Sequence, residues 1–281
     1  MRYNPCVYGK GKLGLLRRLG HSILRQLPRS HFLFRVCRRF VDNYRGDNNE
    51  DIATNGELSV LRQHLPGARV VLDIGANVGN WAHLALSINP TVALHCFEPS
   101  QRTFEVLAAR RFPNSVRCIN AGCGAVAGTK TLYVLQDCDG ANSLFQRHGV
   151  EVRSAKPEPR EEQVRVVTVD GYCEENQCGE IDFIKIDVEG YELEVFKGMT
   201  KCLHTGRVRV VQFEYGGTYI DARILLMDIW DFVLSANPHY DFFKILPRGL
   251  EAVPRYSQTL ENFQYSNWLI VRDDKAAKRH G

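Results

Sequence analysis

Acidic residues and glycines stand where the predicted strands end. Asp73 and Gly75 close the first apolar run, 70–74, and Glu98 follows the next run, 92–97. In an open α/β sheet the ligand binds beyond the carboxyl ends of the strands, near the point where the strand order reverses. These residues are therefore candidates for one binding site.

The first of these turns, DIGANVGN, is similar to a dinucleotide-binding turn but departs from it. It lacks the third glycine of G-x-G-x-x-G, and Asp73 precedes its first glycine, where a carboxylate would repel a pyrophosphate. S-adenosylmethionine (SAM) has a sulfonium, an ammonium and a carboxylate but no phosphate, so it suits an acidic turn. Glu98 can accept hydrogen bonds from both ribose hydroxyls. NAD enzymes share the glycine turn with a downstream acid, so these features favour SAM without deciding the matter.

A second group of acids follows the later strands. These are Asp187, Glu189 and Glu214. Group transfer gains much from positioning, and an oxygen nucleophile also gains from a base or a metal. Two interpretations stay open: Asp187 or Glu214 is a general base, or all three acids bind a divalent cation such as Mg²⁺. For Glu189 and Glu192, capping of the following helix is the alternative.

The elements that must position these residues alternate in type. Short apolar runs separated by helical stretches predict βαβ units in an α/β fold, with a doubly wound, mostly parallel sheet. The predicted strands are 70–74, 92–97, 116–120, 130–136, 164–169, 181–187, 208–213, 242–246 and 268–272. The predicted helices between them are 81–88, 103–111 and 191–203. The last two strands are expected to form an antiparallel edge.

A polar loop, 137–162, breaks this alternation and is long enough to cover a site. We expect it to take part in acceptor choice. Asn142 and Ser143 are candidate acceptor contacts, whereas His148 is more typical of a surface loop histidine than of a base.

Composition limits the class of protein. The 281 residues are 44% hydrophobic and 24% charged, which is typical of a globular domain. The nine cysteines include no C-x-x-C pair, which argues against a zinc site, and a disulfide framework suits small secreted domains better. We therefore expect reduced cysteines and a cytoplasmic protein.

The N-terminal arm, 1–46, differs from the domain that follows, 47–281. It contains eleven Lys/Arg and one acidic residue, whereas the rest has a net charge of −6. Apolar residues recur at helical spacing on either side of Pro28: Leu16, Leu19, Ile23 and Leu27 before it, and Phe32, Val36 and Phe40 after it. No apolar run is long enough to span a membrane. The arm is predicted to be helical and amphipathic; it packs on the domain, lies peripherally on the inner membrane surface, or contacts a partner or RNA.

Six blocks carry a resemblance to a known family. VVLDIGANVGNW, CFEPS, SLF, VVTVDGY, IDFIKIDVEGYELEVFKGM and VVQFEYGG, in this order and spacing, resemble the FkbM family of SAM-dependent methyltransferases over roughly 55–272. The resemblance implies a class I SAM methyltransferase (Rossmann-like) fold, SAM as methyl donor and an oxygen acceptor. Sugar hydroxyls of glycans, lipids or natural products are the commonest setting for this family.

The resemblance also implies roles for individual residues. Asp187 would lie beside the donor, and Glu98 would hold the ribose. The methionine end of SAM would be lined by Asp73, Gly75, Asn77 and Gly79, and the adenine would lie near Asn120 and Ala121.

Three alternative functions are weaker. An NAD-dependent oxidoreductase is disfavoured by the incomplete glycine motif and by Asp73. A SAM-fold binding module without catalysis is disfavoured because Asp73, Glu98 and Asp187 are all present. A nucleic-acid methyltransferase is disfavoured by the acidic body and by Asp-Val-Glu-Gly after the fourth strand, where enzymes acting on exocyclic amines have Asn/Asp-Pro-Pro-aromatic.

Overall fold

The computed structural model describes residues 29–138, 140, 142–146 and 159–274. The chain divides into two units, Met1–Tyr44 and Arg45–Gly281. The helix predicted before Pro28 and His148 of the polar loop lie outside the described residues.

A single helix, α1 (His31–Arg45), makes up most of the described part of the first unit. Ser30 precedes it, and its Oγ accepts a hydrogen bond from the amide of Leu33, 3.3 Å away, as an N-cap side chain does. Phe32, Val36 and Phe40 lie on this helix, as their spacing predicts. None of its residues is buried.

The second unit contains eleven strands and eight α-helices in its described residues. The strands are β1 (Val70–Ile74), β2 (Ala93–Phe97), β3 (Val116–Ile119), β4 (Gly122–Cys123), β5 (Gly128–Val134), β6 (Arg160–Val167), β7 (Phe183–Ile186), β8 (Val210–Tyr215), β9 (Tyr240–Leu246), β10 (Gly249–Ala252) and β11 (Ser266–Arg272). The helices are α2 (Glu57–His64), α3 (Asn80–Ile88), α4 (Gln101–Ala108), α5 (Val169–Glu175), α6 (Glu192–Lys197), α7 (Thr200–His204), α8 (Thr218–Ala222) and α9 (Leu226–Ala236). A 3-10 helix covers Gln258–Leu260.

Eight strands form the central sheet in the order β10-β9-β11-β8-β7-β1-β2-β3. Five neighbouring strands of this sheet, β3, β2, β1, β7 and β8, pair in parallel, and the strand order reverses between β1 and β7. Strand β11 runs antiparallel to both β8 and β9, and β10 is an antiparallel edge strand. The predicted doubly wound, mostly parallel sheet with an antiparallel edge strand is confirmed.

Helices cover both faces of this sheet, and the strand pattern decides which side chains meet them. Leu72 and Ile74 of β1 pack on the face covered by α5, α6, α7 and α9. Val71 packs on the other face, against α2, α3 and α4. Because side chains alternate along a strand, Asp73 points to the same face as Val71, and it is fully buried there.

A smaller sheet follows β3 in the order β4-β6-β5. Strands β5 and β6 pair antiparallel from Gly128↔Val166 to Val134↔Arg160, and they are the two strands predicted on either side of the polar loop. Both strands begin earlier than predicted because their first residues, Gly128 and Thr129 in β5 and 160–163 in β6, are not apolar and the apolar pattern does not mark them.

The single helix predicted over 191–203 is wrong. The segment forms α6 and α7, with a break at Gly198. A Cβ on Gly198 would lie 2.2 Å from the carbonyl oxygen of Gly124, so the helix ends where the two backbones touch.

Candidate active site

A cleft of about 620 Å³, open to solvent, lies at the carboxyl ends of β1, β2 and β7. Its walls are the loops after those strands, the smaller sheet and the segment 142–144. Of the cofactor-binding and catalytic residues predicted from the sequence, those that line it are Gly75, Asn77, Glu98, Asp187 and Glu189. Those that do not are Asp73, Gly79, Asn120, Ala121 and Glu214.

Gly75 brings the turn after β1 against the turn after β7. Its φ of +85° is in the left-handed region, and a Cβ would lie 1.8 Å from the carbonyl oxygen of Asp187. The position therefore accepts only glycine. Gly79 instead lets α3 begin close to α4: it precedes α3 with a φ of +81°, and a Cβ would lie 2.7 Å from Leu107 of α4.

Glu98 is fixed at the end of β2 by backbone amides. Its two carboxylate oxygens accept hydrogen bonds from the amide of Asn77 at 3.0 Å and the amide of Ser100 at 2.9 Å. Burial raises the pKa of Glu98 to about 7, although both amides oppose the shift. Each oxygen keeps a further lone pair for a hydroxyl donor. The side chain is thus preorganised to accept hydrogen bonds within the cleft.

Lys185 is a buried cation that sequence reasoning missed. It lies on β7, between Asp73 of β1 and Gln212 of β8 in the strand register. Its Nζ donates to Oδ2 of Asp187 at 2.7 Å. Although burial opposes it, the charges of Asp187, Asp73 and Glu214 raise the pKa of Lys185. A lysine within an otherwise apolar strand, FIKI, was the available signal.

Asp73 is a fully buried carboxylate, and within the described residues neither of its oxygens has a hydrogen-bond partner. Burial raises its pKa to about 6, with Lys185 lowering it and Asp187 raising it. A buried carboxylate that accepts no hydrogen bond costs free energy in a folded core, so the presence of Asp73 behind the cleft calls for an explanation. A positively charged ligand in the cleft is one such explanation.

Glu214 lies behind the cleft at the end of β8. Tyr265 donates its hydroxyl hydrogen bond to Oε1 of Glu214 at 3.2 Å, and Asn267 donates to the oxygen of Tyr265 at 3.1 Å. Burial raises the pKa of Glu214 well above its ordinary value, and the charge of Asp187 adds to this, while Lys185 lowers it. Glu214 therefore favours its neutral form more than an exposed glutamate does.

Glu189 and Glu192 differ in role. Glu189 lines the cleft with a left-handed φ of 54°, and its carbonyl accepts a hydrogen bond from Oγ of Ser143 at 2.7 Å. Glu192 begins α6, is buried, and accepts a hydrogen bond from the amide of Val188 at 3.2 Å. Glu192 thus holds the turn between β7 and α6, whereas Glu189 lines the cleft from outside the helix.

A family model for the methyltransferase FkbM domain matches residues 73–240. The match contains every residue that lines the cleft, whereas Tyr265 and Asn267, behind the cleft, lie outside it. The chain belongs to the FkbM methyltransferase family. Its sheet order, with β11 antiparallel between β8 and β9, agrees with the class I methyltransferase fold that the family resemblance implied.

Two relatives of the FkbM family have named activities. The chain is 27% identical over 178 residues to the hexuronic acid methyltransferase AglP of Haloferax volcanii, covering 62% of this chain and 69% of AglP. It is 26% identical over 193 residues to the 2-O-methyltransferase NoeI of Sinorhizobium fredii, covering 65% of this chain and 76% of NoeI. The solved plantazolicin methyltransferase BpumL, in complex with S-adenosylhomocysteine (SAH), has a TM-score of 0.44 at 12% identity, covering 84% of this chain and 90% of BpumL.

The residues that follow β3 support the cleft of this FkbM methyltransferase from outside. The side-chain amide of Asn120 donates to the carbonyls of Glu98 and Pro99, at 3.0 and 3.1 Å, and so holds the turn after β2. Ala121 is buried. Gly122 and Cys123, one position further along, line the cleft and were not selected from the sequence.

The segment 142–144 is tied to the smaller sheet and lines the cleft. Asn142 accepts a hydrogen bond from the amide of Leu135 at 2.9 Å and donates to the carbonyl of Gln136 at 3.0 Å. Ser143 pairs with Tyr133 through backbone hydrogen bonds. Both predicted acceptor contacts are thus at the cleft, with their side chains engaged in holding the segment.

No metal site is assembled in the part of the chain that the structure describes. There, no three His, Cys, Asp or Glu side chains are grouped to hold a metal ion. The eight cysteines of the same part are all free. Likewise, no described helix is long and apolar enough to cross a membrane.

Proposed function

We propose that this chain transfers a methyl group from SAM to a hydroxyl oxygen of a sugar or another small molecule. The observation that carries the proposal is Glu98, a buried carboxylate held by two amides at the end of β2 and facing the cleft. The names of AglP and NoeI, a hexuronic acid methyltransferase and a 2-O-methyltransferase, support a sugar hydroxyl as acceptor.

The residues at the cleft fit SAM. Gly75 leaves no room for a side chain between the turns after β1 and β7, so the backbone itself borders the cleft. The unpaired Asp73 suits a ligand that carries two positive groups, and Glu98 suits a ribose diol. When bound, SAM supplies a methyl group on a sulfonium, which makes that methyl electrophilic. Asn120 and Ala121 on the adenine side stay a prediction.

Asp187 is the proposed proton acceptor. It lines the cleft, and its Oδ2 accepts a hydrogen bond from the ammonium of Lys185. It would take the proton from the acceptor hydroxyl as the oxygen becomes nucleophilic. Glu214 does not line the cleft and accepts a hydrogen bond from Tyr265, whereas Glu189 lies at the cleft beside Asp187.

Isothermal titration calorimetry of the full chain with SAM, SAH and NAD tests the proposal. We expect micromolar binding of SAM and SAH and none of NAD. Glu98→Gln should weaken SAM binding by roughly tenfold or more, because it removes hydrogen bonds to a charged acceptor. The matched control is Glu105→Gln on α4, an exposed carboxylate outside the cleft. Binding of NAD in place of SAM would favour the oxidoreductase alternative.

Whether a divalent cation assists is tested separately. If Asp187 acts as a base without a metal, methyl transfer survives exhaustive treatment with EDTA. If activity is lost and Mg²⁺ restores it, the acids at the cleft bind a cation instead.

A further inference from the structure

Helix α1 has one continuous apolar face. At about 100° per residue, its apolar residues fill an arc of roughly 200°. They are Phe32, Leu33, Phe34, Val36, Cys37, Phe40, Val41 and Tyr44, with Asn43 as the one polar residue in the arc. Phe32 is 71% exposed, Phe40 is 70% exposed and Tyr44 is 79% exposed. Bulky aromatic residues dominate this face.

The remaining arc of α1 is basic. It carries Arg35, Arg38, Arg39 and Arg45, against the single acid Asp42, which pairs with Arg38 at 3.8 Å. By the same angular spacing, Arg39 borders one edge of the apolar arc and Arg45 borders the other. Long side chains at such borders keep their stems on apolar surface while their charged ends reach a polar layer.

We propose that α1 binds an anionic lipid bilayer, with its apolar face in the boundary between headgroups and acyl chains and its arginines on lipid phosphates. The charge of the helix complements an anionic surface, and each basic residue near such a surface adds binding free energy. The helix has 15 residues and five arginine or histidine side chains, so it lies on the bilayer and does not cross it. This inference does not depend on the methyltransferase chemistry of the other unit.

Co-sedimentation of the full chain with vesicles tests this surface. Vesicles of phosphatidylcholine alone are compared with vesicles that also contain phosphatidylserine. The chain should pellet with the anionic vesicles and stay in solution with the neutral ones. Phe32→Ser with Phe40→Ser should weaken binding at least about tenfold. Arg35→Gln with Arg39→Gln should weaken it about fivefold for each arginine removed.

Control variants keep the test specific. Ile220→Ser removes a 60% exposed apolar side chain from α8 in the other unit and should leave pelleting unchanged. Circular dichroism and SAM titration of every variant show that the fold persists. The proposal is overturned by equal pelleting with neutral vesicles, or by α1 variants that pellet like the parent chain. It is also overturned if the chain stays in solution while α1 mediates self-association or RNA binding.

Discussion

Lys185 and Asp187 form an ion pair at the end of β7, with 2.7 Å between Nζ and Oδ2. The lysine side chain is 8% exposed and the aspartate side chain 28% exposed, so the pair joins the buried core to the cleft. Asp73 and Glu214 act on the same ammonium from neighbouring strands. Lys185 is therefore the cation that balances several carboxylates of the site.

Removing that cation should disable the base. In Lys185→Met, Asp187 loses the ammonium that holds its carboxylate at the cleft. We expect kcat to fall roughly a hundredfold with little change in SAM affinity, because the base is no longer positioned. Lys185→Arg should restore part of the activity. The control Lys201→Met, on the exposed pair with Glu174, should leave kcat unchanged; an unchanged kcat in Lys185→Met would count against this role.

Asp187→Asn tests the base itself. The amide cannot accept the hydroxyl proton, so kcat should fall by about 10²–10⁴. The comparison is Glu251→Gln on β10, an exposed carboxylate outside the cleft. Full activity of Asp187→Asn in steady-state assays would move the base assignment to Glu189 or to a metal-bound group.

Gly75→Ala should unfold or distort the site. The added Cβ meets the carbonyl oxygen of Asp187 at 1.8 Å, and the φ of +85° strains any other residue. We expect the free energy of unfolding in urea to fall by about 3 kcal/mol or more. Gly67→Ala is a matched control, because Gly67 also has a positive φ of +78° but nothing lies within 4 Å of its Cβ; it should cost about 1 kcal/mol. Equal losses in the two variants would show that the contact with Asp187 does not matter.

Binding of SAM should weaken as pH falls. The pKa of Glu98 is raised to about 7, and the ribose donates hydrogen bonds to the carboxylate form, so protonation competes with the ligand. Between about pH 8 and about pH 6, the ionised fraction of such a group falls roughly tenfold, and the affinity should follow. Asp73, with a pKa raised to about 6, adds to the loss at the acidic end. Titration calorimetry at each pH should show this trend and show it reduced in Glu98→Gln; an affinity that rises on acidification would contradict it.

Much of the central sheet was predictable because its strands are apolar and short. The bounds predicted for β1 are those observed, and β2 differs by one residue. The antiparallel pairing of β9 with β11 was also predicted. By contrast, the split between α6 and α7 depends on the contact of Gly198 with Gly124, which lies far away in sequence and leaves no mark in the helical pattern.

The candidate site was predictable where it follows strand ends and not where it depends on packing. Glu98 and Asp187 were found because they follow apolar runs. Glu214 also follows one, yet it is turned behind the cleft toward Tyr265, and only the folded sheet shows this. Lys185 was missed because the predicted site was built from residues that follow strands, whereas this lysine lies inside β7.

The central claim, O-methylation with SAM as donor, is tested most directly by following a labelled methyl group. The chain is incubated with SAM that carries a trideuterated methyl group and with a panel of neutral and uronic-acid saccharides, and the products are analysed by mass spectrometry. We predict a saccharide that bears the label as a methyl ether, with one SAH formed for each product. If the chain binds SAM but forms neither SAH nor a labelled saccharide with any acceptor, it is a SAM-fold binding module and the enzymatic account is wrong.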